Sequence, residues 1–283
     1  MPGAFENFLH SYWKSGKPIF APNEFSVELG NKLKRKVAKK YKFDRYIYHF
    51  KEGSHVAALH LHRKNGFFCR VDISRFFYSV RRNRVKRVLK AIGVPKPEHY
   101  AKWSCVKNPF EGGGYVLPYG FVQSPILATL VLAESPVGTF LRSLPASISC
   151  SVYMDDLCLS GNDQAELKVA FDGLVAAVAE AGFTLNADKT REPAAEIDIF
   201  NCSLENGATA VLPGRVDEFY AEERSEAAIE AFETYRDIVK STTWRVGASK
   251  KRRRRAYVEG RRKAAADLPT VATPDPGAGC DPC

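Results

Sequence analysis

No run of about 18 consecutive apolar residues occurs in the 283-residue chain, so the sequence offers no candidate membrane span. The opening residues lack a basic segment leading into an apolar stretch, and no secretory signal is expected there. A disulfide framework is also missing. The seven cysteines are an odd number, scattered without regular spacing, which fits reduced thiols in a cytoplasm. Cys280 and Cys283 form a C-x-x-C pair, but no second pair lies near to complete the tetrahedral ligand set of a structural zinc site. No internal repeat is present. Acidic residues are in deficit, 32 against 42 Lys and Arg, for a formal charge of +10 and a pI near 9.2. That balance suits a polyanionic partner, with plain solubility as the competing explanation.

What is present is 45% hydrophobic and 12% aromatic residues, enough for a substantial core. Residues 31–41 (NKLKRKVAKKY) read as a positively charged helix. Residues 45–50 read as a strand on their Tyr and Ile content, and Phe67, Phe68, Val71 and Ile73 as a second strand around Asp72. Residues 83–92 form an amphipathic pattern stopped by Gly93 and Pro95. Pro125 opens a helix over 126–134, and Gly182 closes one over 165–181. Apolar flanks at 148–152 and 157–159 predict a β-hairpin with Asp155 and Asp156 at its tip. Strand-like residues 183–185 follow. Asn206-Gly207 predicts another hairpin between 197–204 and 208–212. From Val216 to about Val239 the pattern is helical.

Three aspartates stand in apolar surroundings: Asp72, Asp155 and Asp156. A buried carboxylate is costly unless paired or bound to metal, and adjacent aspartates in a turn repel each other. An isolated Asp usually ends a strand or caps a turn. Together, these three fit a divalent-cation site. Mg²⁺ takes oxygen ligands and keeps waters, so carboxylates and substrate phosphates suit it. Two such ions about 3.5–4 Å apart clamp the attacking and leaving oxygens of a nucleotidyl transfer.

Tyr153-Met154-Asp155-Asp156 matches the Y-x-D-D signature of reverse transcriptases. The segment from Val71 through Asp72, Ile73, Phe76 and Phe77 to Val80 resembles that family's first catalytic block, as in bacterial retron, group II intron and defence-associated enzymes. Pro118-Tyr119-Gly120-Phe121-Val122-Gln123-Ser124-Pro125 resembles the next block, Leu185-Asn186-Ala187-Asp188-Lys189-Thr190 a later one, and Phe200-Asn201-Cys202 the start of a primer-grip hairpin. Y-x-D-D alone is weak; five blocks in family order are specific. The resemblance implies an α+β right-hand polymerase: a palm with an antiparallel, ferredoxin-like (RRM-like) sheet, reduced fingers and a helical thumb. It implies fingers and palm over residues 1–215, a thumb with a basic end over 216–263, and a disordered tail over 264–283.

It further implies RNA-directed DNA polymerase activity on dNTPs with two Mg²⁺ ions, Mn²⁺ being an alternative. Asp72 and Asp155 would hold both ions, with the carbonyl of Ile73 as a further ligand and Asp156 in support. Phe77 would exclude a 2′-hydroxyl, although Phe76 and Phe77 can equally be core. Lys189 would approach the leaving pyrophosphate as a general acid, or simply face solvent. Tyr119, Gly120 and Gln123 would meet the incoming nucleotide, with Tyr119 standing where many members have Gln. Arg45 or Lys51 would hold the triphosphate. Lys250, Lys251, Arg252, Arg253, Arg254 and Arg255 form a basic run that would contact nucleic-acid phosphates or remain solvated.

His49, His55, His60 and His62 cluster in sequence and suggest core or nucleic-acid contacts before metal. The absence of a retron-type Asn-Ala-x-x-His before Asp72, and of maturase or endonuclease segments, points to a small bacterial enzyme of antiviral defence working with a noncoding RNA. The implied partners are an RNA template, dNTPs and a DNA product, with no membrane; homo- or hetero-oligomers stay open. Template-independent synthesis and a catalytically idle RNA-binding scaffold are the alternatives.

Overall fold

The computed structural model describes residues 7–110 and 112–244. The chain divides into two units, Met1–Ser241 and Thr242–Cys283, and every element named here belongs to the first. It opens on an antiparallel hairpin, β1 (Phe8–Lys14) and β2 (Lys17–Pro22). Ser15 and Gly16 join its strands, both at positive φ (49° and 72°), as a two-residue turn matched to strand twist requires. Helix α1 (Glu24–Lys40) follows. Asn23 caps it by accepting from the Ser26 N–H at 2.9 Å, and Lys39 and Lys40 lie at its negative end. Its buried stripe is Ser26, Gly30, Leu33 and Val37, a single helical face.

Next come α2 (Ser54–His62), β3 (Phe67–Asp72), α3 (Phe76–Ser79), α4 (Arg82–Ala91), α5 (Pro97–Trp103), β4 (Val106–Lys107), β5 (Tyr115–Val116), α6 (Ser124–Ala133) and α7 (Pro136–Ser143). The second half holds β6 (Ser149–Tyr153), β7 (Asp156–Gly161), α8 (Gln164–Glu180), β8 (Arg191–Ala194), β9 (Glu196–Ile199), β10 (Cys202–Glu205), β11 (Ala208–Val211), α9 (Pro213–Tyr220) and α10 (Glu226–Lys240). The central sheet has the order β6-β7-β3-β8 and is antiparallel throughout. A second sheet runs β11-β10-β9. This is the α+β architecture expected, with a palm-like antiparallel sheet under helices.

Helix α8 packs against β3, β7 and β8, and α2 against β6. α6 is apolar all round and buried all round, and so runs through the middle of the fold. Its partner α7 follows after a 64° bend, and among the described residues no single helix is long and apolar enough to cross a membrane. The core is continuous from Leu33 and Val37 through Val71, Phe76 and Leu127 to Leu157 and Leu174. Leu157 is fully buried, and truncating it to Ala would cost about 2–5 kcal/mol.

Four sequence expectations change. Residues 45–50 are not a strand: only Ile47 pairs, in a single parallel bridge to Val152 at the outer edge of β6. Tyr46 C=O accepts from Val152 N–H at 2.7 Å and Tyr48 N–H donates to Val152 C=O at 2.9 Å, and the chain then turns away. Its aromatic residues serve packing, not a ladder. Residues 183–185 likewise give one bridge, Leu185 to Ile73. The segment 197–212 is three strands, because Phe200 and Asn201 (φ 56° and 60°) form a further two-residue turn. The helical stretch beyond Val216 is two helices, broken before Ser225, which caps α10. The end of α10 is anchored where its carbonyls lack helical partners: Arg63 Nη2 donates to Lys240 O at 2.8 Å and Thr209 Oγ1 to Val239 O at 2.6 Å. The expected tail, 264–283, with Cys280 and Cys283, lies outside the described residues.

Candidate active site

The sheet register brings the aspartates together. Asp72 ends β3 directly opposite Asp156, the first residue of β7. Antiparallel partners share a face, with Cβ atoms about 4.5–5.5 Å apart. Tyr153 pairs with Asp156, so Met154 and Asp155 alone make the turn of the β6–β7 hairpin. Met154 has φ 59°, a left-handed conformation that costs a residue with a Cβ about 1–2 kcal/mol. The surroundings hold it there. Ile73 N–H donates to the Asp155 carbonyl at 3.1 Å, and Met154 N–H donates to His49 Nδ1 at 3.3 Å.

Arg70 lies two residues before Asp72, on the same face of β3. Its Nε donates to Asp156 Oδ1 at 2.6 Å and its Nη2 contacts the same oxygen, while Asp72 Oδ2 is 3.7 Å from Nη2. Nη1 reaches the Asp198 carbonyl at 3.2 Å. On the other side Lys189 Nζ stands 3.8 Å from Asp72 Oδ2. Burial pushes the Asp155 carboxyl above the usual carboxylate range; its own N–H opposes this, the Asp72 charge adds to it, and Lys17 and Lys189 draw it back. Asp156 is pushed up to about 6 by burial, with Arg70 opposing and Asp155 adding. The ionised carboxylates are therefore disfavoured chiefly by desolvation, a cost that a bound cation would offset.

That is the electrostatic condition for a cation site, and the donors are the hard oxygens Mg²⁺ takes. Among the described residues, no three His, Cys, Asp or Glu side chains form a closed cage. Asp156 is engaged by Arg70. Mg²⁺ does not need a cage, because one or two carboxylates with waters and substrate phosphates suffice. Asp72 and Asp155 fit that role. The wide antiparallel pairing of Ile73 with Leu185 turns the Ile73 carbonyl away from Leu185, to the β7 side.

The wall beside the carboxylates is aromatic. The Phe77 ring, 8% exposed, meets Tyr119 edge-on at 4.6 Å. Burial, then the charges of Asp155, Tyr78 and Asp72, hold the Tyr119 hydroxyl well above its ordinary range. Lys17 Nζ lies 5.2 Å from the centre of the same ring. Strand β2 docks there through Phe20 N–H to Tyr119 C=O at 2.9 Å. Gly120 (φ 102°) permits this, because a Cβ would stand 2.1 Å from the Phe20 carbonyl oxygen.

Two expected site residues are placed elsewhere. Gln123 is 1% exposed, donates to Ser104 Oγ at 3.3 Å and is wedged against Gly30 of α1, where a Cβ would meet its Oε1 at 2.2 Å. It faces the α1–α5 side because α6 begins one residue later and turns its side chain inward. Arg45 is exposed in the loop before Ile47, and its recorded contact is its carbonyl, which accepts from Lys51 Nζ. Lys250, Lys251, Arg252, Arg253, Arg254 and Arg255 lie outside the described residues. The four histidines do not converge on one point: His49 touches the catalytic turn, His55 bonds Tyr235 Oη at 3.2 Å, His60 bonds the Val239 carbonyl at 3.0 Å, and His62 is sealed between Ser151 and Ser160. Sequence reasoning missed Lys17, Arg70 and His49. Arg70 was open to it, since alternation puts Arg70 and Asp72 on one face.

An antiparallel sheet carrying two carboxylates at a hairpin tip and a third opposite, with a basic and aromatic wall, defines the palm of a nucleotidyl-transferring polymerase. Residues 28–200 match the family model described as reverse transcriptase (RNA-dependent DNA polymerase), and the chain belongs to that family. Enzymes of this family use divalent metal ions. Among curated proteins, the retrovirus-related Pol polyprotein from type-2 retrotransposable element R2DM of Drosophila melanogaster is 29% identical over 155 residues. That match covers 46% of this chain and only 14% of the Pol polyprotein. Among solved structures, a foamy viral protease-reverse transcriptase with double-stranded DNA aligns over 78% of this chain and 33% of its own, at 17% identity and a TM-score of 0.46. The same viral protein with RNA/DNA hybrid aligns over 62% and 22%, at 19% identity and a TM-score of 0.41.

Proposed function

We propose that this chain is an active RNA-directed DNA polymerase that extends a 3′-hydroxyl with dNTPs at Asp72 and Asp155, using Mg²⁺. The observation that carries the reading is the register setting Asp72 opposite Asp156 with Asp155 in the intervening turn. Asp72 and Asp155 would hold the ions, with the Ile73 carbonyl beside them. When bound, divalent ions supply Lewis-acid activation of the attacking oxygen and charge neutralisation at the leaving pyrophosphate.

The remaining roles fall to the chain itself. The Phe77 and Tyr119 rings form a floor against which a sugar packs, and a 2′-hydroxyl would have to displace Phe77. Lys17 supplies positive charge over that floor for the triphosphate. Lys189, beside Asp72, is positioned to give a proton to the departing pyrophosphate. Arg70 neutralises Asp156 and keeps it in a supporting role. Helices α9 and α10 would serve as the thumb. The basic run at 250–255 is assigned to phosphates of the template or a partner RNA on charge alone.

The test is extension of a labelled DNA primer on an RNA template by the purified protein, with dNTPs or NTPs and Mg²⁺. Product with dNTPs that disappears in Asp72→Asn and Asp155→Asn supports the reading. Equal product from the variants, or none from wild type on any template, defeats it. Service in antiviral defence with a noncoding RNA rests on the pattern of sequence blocks. Its test is phage plating on bacterial cells expressing wild type or the Asp155→Ala, Asp156→Ala double variant.

A further inference from the structure

We infer that His49, braced by Thr129, is a positioning residue that fixes the turn carrying Asp155; the inference rests on the polymerase reading above. The hydrogen bonds determine its protonation pattern. Thr129 Oγ1 lies 2.8 Å from the Pro125 carbonyl, which only accepts, so the hydroxyl proton is committed there. The Thr129 oxygen then accepts in its 2.8 Å contact with His49 Nε2 in the neutral Nε2–H form of the ring. That leaves Nδ1 with a lone pair, aimed at the Met154 N–H at 3.3 Å. A line of bonds thus runs from the Pro125 carbonyl in α6, through Thr129 and the imidazole, to the tip of the catalytic hairpin.

The Met154 amide needs this acceptor. In a two-residue turn closed by the Tyr153–Asp156 pair, the first turn residue has no ladder partner for its N–H. Met154 also sits at φ 59°, a conformation that persists only where its surroundings enforce it. Ile73 N–H holds the Asp155 carbonyl from the β3 side, and His49 holds Met154 from the α6 side. Between these two bonds the Asp155 side chain has a fixed origin. His49 is itself wedged between the Phe50 and Tyr153 rings, at 4.0 and 5.9 Å. It touches no carboxylate, so it acts on the chemistry only by placing Asp155.

The experiment uses the full chain as His49→Ala, His49→Asn and Thr129→Val. An Asn side-chain oxygen falls near the Nδ1 position and restores an acceptor for the Met154 N–H. Thr129→Val is nearly isosteric and removes only the brace, which keeps the test alive should His49→Ala fold poorly. Two quantities are read: steady-state kcat and dNTP KM, and hydrogen exchange of the Met154 amide in metal-free protein. The expected result for His49→Ala is a kcat lower by about 10–100-fold, the scale of a misplaced reacting group, with KM nearly unchanged. Its Met154 amide should exchange faster than in wild type. His49→Asn should recover most of both, and Thr129→Val should shift both in the same direction by less. Wild-type exchange at Met154 in His49→Ala, or His49→Asn no better than His49→Ala, overturns the inference. If wild type incorporates no nucleotide, the polymerase reading fails, and the exchange rates alone decide whether the tether exists.

Discussion

Arg70 holds Asp156 more closely than Asp72: Nε donates to Asp156 Oδ1 at 2.6 Å, while the nearest Asp72 oxygen is 3.7 Å from the guanidinium. A carboxylate already paired with a guanidinium has less charge to offer a metal than Asp155, whose nearest bases act only from a distance. The three aspartates are therefore unequal. Asp72→Asn and Asp155→Asn should abolish primer extension. Asp156→Asn should leave measurable product, at a loss of about 100-fold, typical of removing one supporting electrostatic group. Arg70→Met should shift the Mg²⁺ concentration giving half-maximal rate downward, since Asp156 is then released towards the ions. A metal titration of the four variants checks the order.

Phe77 is packed against Tyr119 and Phe76, with centroids 4.6 and 5.8 Å away, so its ring cannot swing aside without losing both contacts. That rigidity is what a steric filter needs. Phe77→Val should raise ribonucleotide incorporation relative to dNTPs by at least about 10-fold, the scale of losing a side-chain-sized steric clash. Competition of labelled NTP against dNTP measures it, and unchanged discrimination would mean that Phe77 is core alone.

How much of this was legible in the sequence follows from the range of each signal. The Asp155-Asp156 hairpin was readable because its apolar flanks alternate locally. α4, α6 and α8 were readable within a residue or two because their caps and stops, such as Pro125 and Gly182, sit in the chain itself. The β1–β2 hairpin was not, because residues 8–22 mix aromatic, basic and proline residues without clean alternation, and β2 gains its place by bonding to Tyr119, about a hundred residues away. For the same reason the sequence offered Arg45 or Lys51 for the triphosphate and gave no sign of Lys17. Residues 45–50 carry β-forming side chains, but only Ile47 is buried among them; Tyr46 bonds Asp44, Tyr48 lies under Lys51 and Phe50 stays exposed. Gln123 looked like part of the nucleotide site by its block. Only the tertiary fit with Gly30 reveals that it points the other way.

Lys17 gives the third prediction. It stands over the Tyr119 ring and its charge reaches Asp155, yet it is separated from the Y-x-D-D turn by about half the chain. If Lys17 supplies charge to the incoming triphosphate as proposed, Lys17→Met should raise dNTP KM by about 10-fold, the cost of one charge-assisted contact, with kcat little changed. Lys189, beside Asp72, should behave in the opposite way: Lys189→Met should lower kcat and leave KM nearly intact. Steady-state kinetics on one primer-template separates the two.

The last prediction concerns acid stability. His62 is fully buried; its Nδ1 is 2.7 Å from Ser160 Oγ and its Nε2 2.8 Å from Ser151 Oγ, so the ring bolts α2 to both strands of the catalytic hairpin. Burial, helped by the Lys64 charge, lowers its pKa from 6.5 to about 3. The folded protein thus keeps it neutral where the unfolded chain would protonate it. Between those two values the unfolded state binds the extra proton, so stability rises with pH. The contribution is complete above about 6.5 and is lost as pH falls towards about 3, at up to about 1.4 kcal/mol per pH unit. His49, held to about 4 by burial against a small opposing pull from the Val152 carbonyl, adds to the same window. The difference between wild type and His62→Gln isolates the first group. At pH 7.5 the variant should be less stable by about 1–3 kcal/mol, the cost of disturbing buried hydroxyl partners. By pH 5 that gap should have narrowed, because only wild type still resists protonation at this position. Urea unfolding at the two pH values measures it; a gap that stays constant would mean that His62 does not titrate between the states.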